Sequence, residues 1–463
     1  MSHAAITRRA AVGMLAAAGA GFALFGPRPD SDRAARGRLV IDYWEKWTGH
    51  EGRAMQHIVD RYNQSQDRAY VRYFAMAGID QKSIVAIAGG NPPDIIGMGN
   101  FSVPAYAESG AIMPLDDLAA AHSITPDRYA PAVWPMLTHK GRLYAIVNTC
   151  GALALFYNRA AFRDAGLDPD APPRTISELD ACHERLVRQS ADGRLERVGF
   201  LHMEPDWWTW HWGYYFGTSV LTPEGDAAAD HPANIRAYQW ARSYPQRLGV
   251  ERTLRFQAGF GFYGTPQHPF LAGQVAMTNQ GPWLANLINA YKPDMDYAVA
   301  PFPVHDDFYD PDQPAGLLDS DVLVIPRGAR HPEEAFRFIA FTQQPENVEF
   351  LSAAHCKNSP LATSSADFLA SHPNPFVRVH AAVASSPRAF IFPRMRTWEQ
   401  YVAEFNAAMQ RIWRGNAEPA AALAAVRRAG QSQIDEARAA AARRATARAG
   451  SSGGAGRGPG SAG

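Results

Sequence analysis

The sequence predicts an α/β fold with a mainly parallel sheet, because segments typical of strands alternate with segments typical of helices. Residues 38–44 form a short apolar run of β-forming residues, and residues 49–62 follow with the periodicity of an amphipathic helix. Residues 70–74 resemble a second strand, residues 81–88 a helix, and residues 93–98 a third, buried strand. At 463 residues, the chain has the length of roughly two to three domains.

The composition is that of an ordinary soluble globular protein, with 46% hydrophobic and 19% charged residues. Basic and acidic residues balance at 45 each, so no net charge favours nucleic acid or an anionic membrane, and a neutral ligand fits better. The cysteines Cys150, Cys182 and Cys356 are far apart and show neither CxxC nor zinc-binding spacing. Their number allows one disulfide without implying it.

The two ends of the chain differ from its middle. Paired arginines at residues 8–9 precede a small, apolar run at residues 10–25, which is the layout of an export signal. The arginine pair resembles a twin-arginine signal, and both cleavage and retention as an uncleaved anchor are compatible with the sequence. Residues 437–463 pass from an Ala/Arg run typical of a helix into Gly/Ser repeats, which predicts a solvated tail.

Four of the 11 tryptophans fall within six positions of the segment Glu204–Trp212. If this segment is a helix, Trp208 and Trp212 share a face, and one helix cannot bury all four indoles. Some of them are then expected to line a cleft, where a flat ring with an N–H edge suits the C–H face of a sugar. The alternative is a tryptophan-rich core helix.

Two loops after predicted strands are natural walls for a ligand site. In mainly parallel sheets, ligands bind beyond the carboxyl ends of the strands, which here are followed by residues 45–49 and 97–102. The alternative for each polar residue there is an ordinary solvated loop.

Six short segments occur in an order that is typical of one family. They are GRLYA (141–145), LFYN (155–158), FRDAGLD (162–168), PPRTISEL (172–179), FLAGQVAM (270–277) and PEEAFRFI (332–339). Together they resemble extracellular solute-binding protein family 1, the carbohydrate-binding receptors of ABC importers, which include maltodextrin-binding and glycerol-phosphate-binding proteins. The resemblance runs from about residue 39 to residue 413.

The resemblance implies two discontinuous α/β lobes joined by a hinge, of the periplasmic binding protein fold, with the ligand in the cleft between them. The chain would cross between lobes near residues 148–151, 298–302 and 342–345. The implied organisation is an export signal at residues 1–36, a first lobe at 37–149 plus 301–342, a second lobe at 150–300 plus 343–430, and a flexible tail at 431–463.

In the second lobe, the resemblance assigns ligand contacts to Glu204, Trp207 and Trp208, which match the family's segment of glutamate, proline and aromatic residues. Trp283, in the segment Gln280–Trp283, matches a family position whose indole stacks on a sugar ring. The alternative for Trp283 is a buried core residue.

In the first lobe, Trp44 and Glu45 occupy the loop in which family members place polar sugar contacts. Asn100 and Ser102 lie where maltodextrin-type proteins carry an aspartate and an arginine, and this departure argues against maltodextrin itself. Asp319 replaces part of a small, glycine-rich turn, and either faces the cleft or caps a turn.

Late in the chain, the segment 392–398 resembles one that contributes an arginine or an aromatic ring to the site in relatives. It adds Arg394, Arg396 and Trp398 as ligand-binding candidates, and the sequence leaves open which of the two arginines faces the cleft.

The implied function is the substrate-binding component of an ABC importer, which binds a mono- to oligosaccharide and delivers it to a membrane permease. The resemblance implies an exported monomer in the periplasm or at the cell surface, with no cofactor, catalysis or nucleic acid, and with membrane contact only through the permease or an uncleaved signal. No HExxH or CxxC motif indicates a metal. One alternative is an exported glycoside hydrolase that uses two of Glu45, Glu204 and Asp319. Another is a receptor for glycerol phosphate or another anion, given Lys46 and the two arginines.

Overall fold

The computed structural model describes residue 35 and residues 37–452, so the expected export signal lies almost wholly outside the described residues. Across this described part of the chain, no helix is both long and apolar enough to span a bilayer.

Strands and helices alternate over most of the described chain. The strands are β1 (Leu39–Glu45), β2 (Ala69–Ala75), β3 (Ile95–Gly99), β4 (Thr138–His139), β5 (Arg142–Leu143), β6 (Ile146–Ala152), β7 (Ala154–Asn158), β8 (Arg188–Gln189), β9 (Leu195–Arg197), β10 (Met277–Gln280), β11 (Tyr297–Ala300), β12 (Gly316–Val324) and β13 (Ala389–Phe390). The helices are α1 (Gly49–Ser65), α2 (Ile79–Ala88), α3 (Val103–Ser109), α4 (Asp116–Ala121), α5 (Val133–Leu137), α6 (Arg159–Asp164), α7 (Ile176–Leu186), α8 (Pro232–Leu248), α9 (Val250–Gln257), α10 (Leu284–Tyr291), α11 (Pro332–Thr342), α12 (Pro345–Ala354), α13 (Ala366–Ser371), α14 (Val377–Ser385), α15 (Trp398–Trp413) and α16 (Pro419–Ser452).

The first lobe is built on a six-stranded sheet in the order β13-β12-β3-β1-β2, with β6 paired to β12. Strand β1 is parallel to both β2 and β3, as the alternation of strands and helices predicts. Along β1, Ile41, Tyr43 and Glu45 are buried while the residues between them are half-buried, because successive side chains point to opposite faces. Glu45 and Trp44 therefore face away from each other.

The second lobe is built on a three-stranded sheet in the order β10-β7-β11, and both pairs in it are antiparallel. The predicted α/β class is confirmed, but the mainly parallel arrangement holds only for part of the first sheet. Strand direction depends on how the chain returns to the sheet, which local periodicity does not specify.

The chain passes between the two sheets where β6 ends at Ala152 and β7 begins at Ala154, close to the first expected crossing. It returns between β11 and β12, close to the second. The third expected crossing, at 342–345, instead joins α11 and α12, and both helices pack in the first lobe. Leu351 of α12 is buried in that core, so residues 345–354 belong to the first lobe rather than to the second.

The expected flexible tail begins as an ordered helix. Helix α16 is continuous to Ser452, and Ile434 is buried against the second lobe. The Nη1 atom of Arg438 lies 2.6 Å from the carboxylate of Asp226. Apolar burial of Ile434 and the ion pair of Arg438 therefore fix part of the stretch 431–452, which the implied organisation assigned to a flexible tail. Residues 453–463 lie outside the described part.

The tryptophan-rich segment is not one helix but two short 3₁₀ turns, Asp206–Trp208 and Trp212–Phe216. Trp210 and Trp212 belong to the second core, where the ring of Trp210 meets that of Trp398 edge to face at 4.8 Å. Trp207 remains 42% exposed. Most of the cluster is core, because α8 and α15 surround it from several sides.

His202 and His211 lie inside this aromatic core, and none of their ring nitrogens has a hydrogen-bond partner among the described residues. Burial lowers the pKa of His211 to about 3 and that of His202 well below its usual range. In the unfolded chain these imidazoles titrate near pH 6.5. Below that pH, the unfolded state binds protons that the folded state does not bind, so acid lowers the free energy of unfolding.

We expect His211→Phe to lose less stability than the unmodified chain between pH 7 and pH 5. The difference should be about 2 kcal/mol, since each pH unit below 6.5 costs about 1.4 kcal/mol per buried neutral imidazole. Urea unfolding at the two pH values measures it. Comparing the two proteins cancels the contribution of Glu204, whose raised pKa has the opposite sign. Equal pH dependence in both proteins would contradict the assignment.

Candidate ligand-binding site

Trp283 stands at the edge of the second sheet, where β10 ends and α10 begins. Gly281 precedes it because a Cβ at that position would lie 2.2 Å from the indole ring. Gly151 of β6 faces the same ring, and a Cβ there would lie 3.0 Å from it. Two glycines thus allow an indole to sit against the strand that joins the lobes, and Trp208 lies beside it with ring centroids 6.1 Å apart.

A buried lysine that the sequence analysis did not identify lies next to this indole. The Nζ atom of Lys357 is 5.4 Å from the centroid of the Trp283 ring and 5.6 Å from that of Trp47. It donates hydrogen bonds to Oγ1 of Thr149 at 2.8 Å and to Oδ2 of Asp321 at 3.0 Å. Lys357 therefore contacts both Asp321, a charged residue of the first lobe, and Trp283, an aromatic residue of the second lobe.

Asp321 holds two cations, because the Nζ atom of Lys46 also lies 2.5 Å from its Oδ1 atom. Burial alone would raise the pKa of Asp321, but the ammonium groups of Lys46 and Lys357 outweigh burial and hold this pKa below its usual range. One ionised carboxylate is thus shared by two ammonium groups, of which that of Lys357 lies next to Trp283.

Asp319 lies on β12 opposite Gly151 of β6, so its position is next to the Trp283 ring. Asn100 donates through Nδ2 to Oδ1 of Asp319 at 3.4 Å and to the Ser320 carbonyl at 3.0 Å. Burial, and then repulsion by Asp321, raise the pKa of Asp319 to about 6. The structure thus brings together three of the predicted residues, namely Asn100, Asp319 and Trp283.

Glu45 is fully buried near Lys46 and Asp321. Its carboxylate accepts hydrogen bonds from the Tyr43 hydroxyl at 2.6 Å, the Lys46 backbone N–H at 2.7 Å and the Asn148 amide at 3.2 Å. Burial raises its pKa to about 7. The carboxylate expected to contact a sugar thus accepts hydrogen bonds from the protein itself, and the bond from the Lys46 backbone N–H fixes the loop that carries Lys46.

Glu204 and Trp207 line a separate cavity of about 490 Å³ in the second lobe, together with Tyr263, His268 and Trp413. The carboxylate of Glu204 lies 3.5 Å from Nε2 of His268. Burial, reinforced by the carboxylate of Asp206, raises the pKa of Glu204 to about 8. Glu204 is therefore mainly protonated at neutral pH and presents both a donor and an acceptor to this cavity.

The remaining candidates are divided between two other places. Ser102, Arg396 and Trp398 line a groove of about 670 Å³ between the lobes, where the Ser102 hydroxyl donates to Glu399 at 3.3 Å. Trp398 itself is only 2% exposed and belongs to the core. Trp44 lines a small cavity with Arg72 on the opposite face of β1 from Glu45, away from Trp283.

Arg394 does not face the Trp283 wall. Its Nη1 and Nη2 atoms each donate at 2.8 Å, to the backbone carbonyls of Asn100 and Thr138. A guanidinium from the segment that leads into α15 thus holds two backbone segments of the first lobe.

Among the described residues, no group of three or more His, Cys, Asp or Glu side chains could hold a metal ion. Cys150, Cys182 and Cys356 are buried free thiols.

Comparisons with known proteins agree with this architecture. The maltotriose-binding protein of Pyrococcus abyssi is 23% identical over 68% of this chain, and the match spans 65% of that protein's length. An sn-glycerol-3-phosphate-binding periplasmic protein of Yersinia pestis is 30% identical over 32% of this chain and 35% of its own. The structure of CpMnBP1 with mannotriose bound superposes with a TM-score of 0.75 at 26% identity, over 85% of this chain and 100% of that one.

A family model that matches most of the chain shows the family to which it belongs. The model of the family described as bacterial extracellular solute-binding protein matches residues 57–376. Its solved relatives share the two-lobed α/β fold of maltose-binding-type periplasmic proteins. This chain is therefore a member of the bacterial extracellular solute-binding protein family.

Proposed function

We propose that this chain is the substrate-binding component of an ABC importer, and that it binds a carbohydrate between its lobes and delivers it to a membrane permease. The observation that carries the proposal is the indole of Trp283 packed against Gly151, the residue of β6 that pairs with Asp319 of β12. A sugar ring has an apolar face that stacks on an indole and edge hydroxyls that need acceptors and donors.

A neutral sugar fits the charges of this wall better than glycerol phosphate does. Lys46 and Lys357 are both paired with Asp321, and Asp319 adds a second carboxyl group beside them. A phosphate placed here would face a carboxylate and would have to compete with Asp321 for the same ammonium groups. Hydroxyl groups can instead donate to Asp319 and accept from Lys46, whose side chain is 33% exposed.

The chain acts as a receptor without turnover. Glycoside hydrolysis requires two carboxyl groups that flank the bond to be cleaved. Glu45 is held by three donors of the protein, and Glu204 lies in a cavity of the second lobe, apart from the Asp319 wall. Carbohydrate that bridges the lobes favours their closed arrangement, which the permease recognises.

We also propose that the chain is exported by the twin-arginine route to the periplasm or cell surface. There it acts as a monomer. The paired arginines at residues 8–9 support the route, and the family supports export. The lobes would be joined at the β6–β7 passage and at the return from β11 to β12.

Isothermal titration of the exported chain against mannose- and glucose-based di- and trisaccharides tests the proposal, with glycerol 3-phosphate and amino acids as comparison ligands. We expect saturable binding of one saccharide class and recovery of that saccharide intact by chromatography. If only glycerol 3-phosphate binds tightly, the ligand is an anion and the proposed carbohydrate is wrong. A saccharide recovered in cleaved form would establish the hydrolase instead.

A further inference from the structure

The cavity of about 490 Å³ in the second lobe contains a carboxyl group without a partner. Within the described chain, no side chain or backbone N–H donates a hydrogen bond to the carboxyl group of Glu204. His268 lies beside it, with Nε2 3.5 Å from the carboxylate, but burial lowers the pKa of His268 to about 4, so this imidazole is neutral at pH 7. The side chain of Glu204 is 13% exposed, so a ligand in the cavity can reach its oxygens.

A second polar side chain of the lining is also unpaired. His268 is only 1% exposed, and neither of its ring nitrogens has a hydrogen-bond partner among the described residues. Polar groups that stay buried and unpaired destabilise a fold, and they are rare in proteins. Their occurrence beside Glu204 in one cavity is typical of a site that a ligand completes.

Negative charge prevails around Glu204. The charge of Asp206, two residues along the chain, adds to burial in raising the pKa of Glu204, and no cationic group of the described chain opposes this shift. Among the described residues that line the cavity, Arg414 is the only arginine or lysine. A cationic group therefore fits next to Glu204 better than an anionic one.

Aromatic rings form the other side of the cavity. The rings of Trp207 and Tyr263 meet edge to face at 4.8 Å, and these side chains are 42% and 38% exposed, while that of Phe262 is 86% exposed. Glu51 of α1 approaches from the first lobe, since its charge, after burial, raises the pKa of Tyr263. Burial also raises the pKa of Glu51 itself and outweighs the attraction of Lys357. Exposed aromatic faces beside carboxyl groups attract cations.

We propose that this cavity binds an organic ammonium group, held between the carboxylate of Glu204 and the rings of Trp207 and Tyr263. The ammonium group supplies the positive charge that the carboxylate lacks, and its N–H or N–CH₃ groups pack against the aromatic faces. A hydroxyl group of a neutral sugar supplies a donor but leaves the charge of the carboxylate uncompensated. The ammonium group belongs either to a free amine or to the amino group of an amino sugar.

An amino sugar is the source that agrees with the proposed binding of a carbohydrate. The ring centroid of Trp208 lies 5.3 Å from that of Trp207 and 6.1 Å from that of Trp283, so one indole separates the cavity from Trp283. A saccharide that stacks on Trp283 can therefore extend an amino-bearing ring toward Glu204. The amino sugar rests on the proposed function, whereas the ammonium site does not.

Binding of a cation in this cavity is coupled to release of a proton. Burial and the charge of Asp206 raise the pKa of Glu204 to about 8, so its carboxyl group is mainly protonated at pH 7. An ammonium group favours the ionised form, so its affinity rises with pH. His268 is neutral in this range, and Tyr263 keeps its proton because its pKa is raised. A neutral sugar would release no proton.

The site is tested by titration calorimetry of the exported chain with tetramethylammonium chloride, whose charge does not depend on pH. At constant ionic strength, we expect saturable binding, a Kd roughly tenfold lower at pH 9 than at pH 7, and release of most of one proton at pH 7. Buffers of different ionisation enthalpy measure this release. The absence of saturable binding beyond sodium chloride, or binding without proton release, would overturn the site.

Two variants locate the released proton. Glu204→Gln should abolish the proton release and weaken binding of tetramethylammonium. Glu224→Gln, which changes an exposed glutamate outside this cavity, should retain both. Circular dichroism checks the fold of each variant. Equal proton release in Glu204→Gln and in the unmodified chain would contradict the assignment to Glu204.

Two matched disaccharides identify the source of the ammonium group. The disaccharide of glucosamine is cationic, and its N-acetylated counterpart is neutral. We expect the cationic disaccharide to bind roughly tenfold more tightly or better at pH 7. Equal Kd values would refute the amino sugar and leave the carbohydrate-binding function in place. Binding of tetramethylammonium without binding of any saccharide would assign the site to a free amine and count against the proposed function.

Discussion

Asp321→Asn is expected to lower the free energy of unfolding by about 3–5 kcal/mol, the range for removing one partner of a buried ion pair. The substitution removes the only negative charge within 3.0 Å of Nζ of Lys357, among the described residues, and the partner of Lys46 at 2.5 Å. Lys357 is nearly inaccessible, so its ammonium group cannot be rehydrated without opening the site. Lys46 is one-third exposed and contributes the smaller part of the loss.

Urea unfolding followed by circular dichroism measures this loss. Asp294→Asn is the matched control, because Asp294 is an exposed aspartate and its replacement should change stability by less than about 0.5 kcal/mol. Combining Asp321→Asn with Lys357→Met should recover part of the loss, since the uncompensated charge is then gone. If Asp321→Asn behaves like the control, the two lysines are not held by this carboxylate.

Trp283→Ala is expected to weaken carbohydrate binding by about 1–3 kcal/mol, which is roughly 5- to 150-fold in Kd. The indole of Trp283 offers an apolar face, and alanine leaves no surface on which a sugar ring can stack. Trp283→Phe should retain part of the affinity, because a smaller ring still stacks.

Titration calorimetry with the saccharide that binds best gives these affinities, and circular dichroism checks the fold of each variant. Trp134→Ala is the comparison, because it removes a half-buried indole of the first lobe that contacts Tyr129 rather than the site. Carbohydrate Kd in Trp134→Ala should stay within about twofold. An unaltered Kd in a folded Trp283→Ala would exclude this indole from the binding surface.

Much of the first lobe could be predicted from local pattern. Strands β1, β2 and β3 and helices α1 and α2 lie within three residues of their expected bounds, because burial on one face imposes a period that the sequence displays. The same period could have separated Trp44 from Glu45, since neighbours on a strand point to opposite faces. The resemblance placed both in one site, and the structure puts Trp44 on the other side of β1.

Lys357 had no local signal in the sequence. Its hydrogen-bond partners Asp321 and Thr149 are 36 and 208 residues away, and its aromatic neighbours come from both lobes. Arg394 is similar, because its acceptors are the backbone carbonyls of Asn100 and Thr138, which any residue could supply. The hydrogen bonds of Lys357 and Arg394 depend on how the fold brings distant segments together. They cannot be predicted from the identity of neighbouring residues.

By itself, the sequence determined the α/β class and the family, because periodicity and ordered motifs are properties of neighbouring residues. The role of Trp283 in ligand binding stays a prediction. Only the tertiary structure decided which predicted residues meet. The β6–β12 pairing and the two glycines beside the indole bring Asn100, Asp319 and Trp283 to one place. Glu45 and Arg394 instead form hydrogen bonds within the protein that hold parts of the first lobe. The physical reason is that burial and hydrogen-bond saturation depend on all the elements that surround a side chain, and those elements are brought together only by the complete fold.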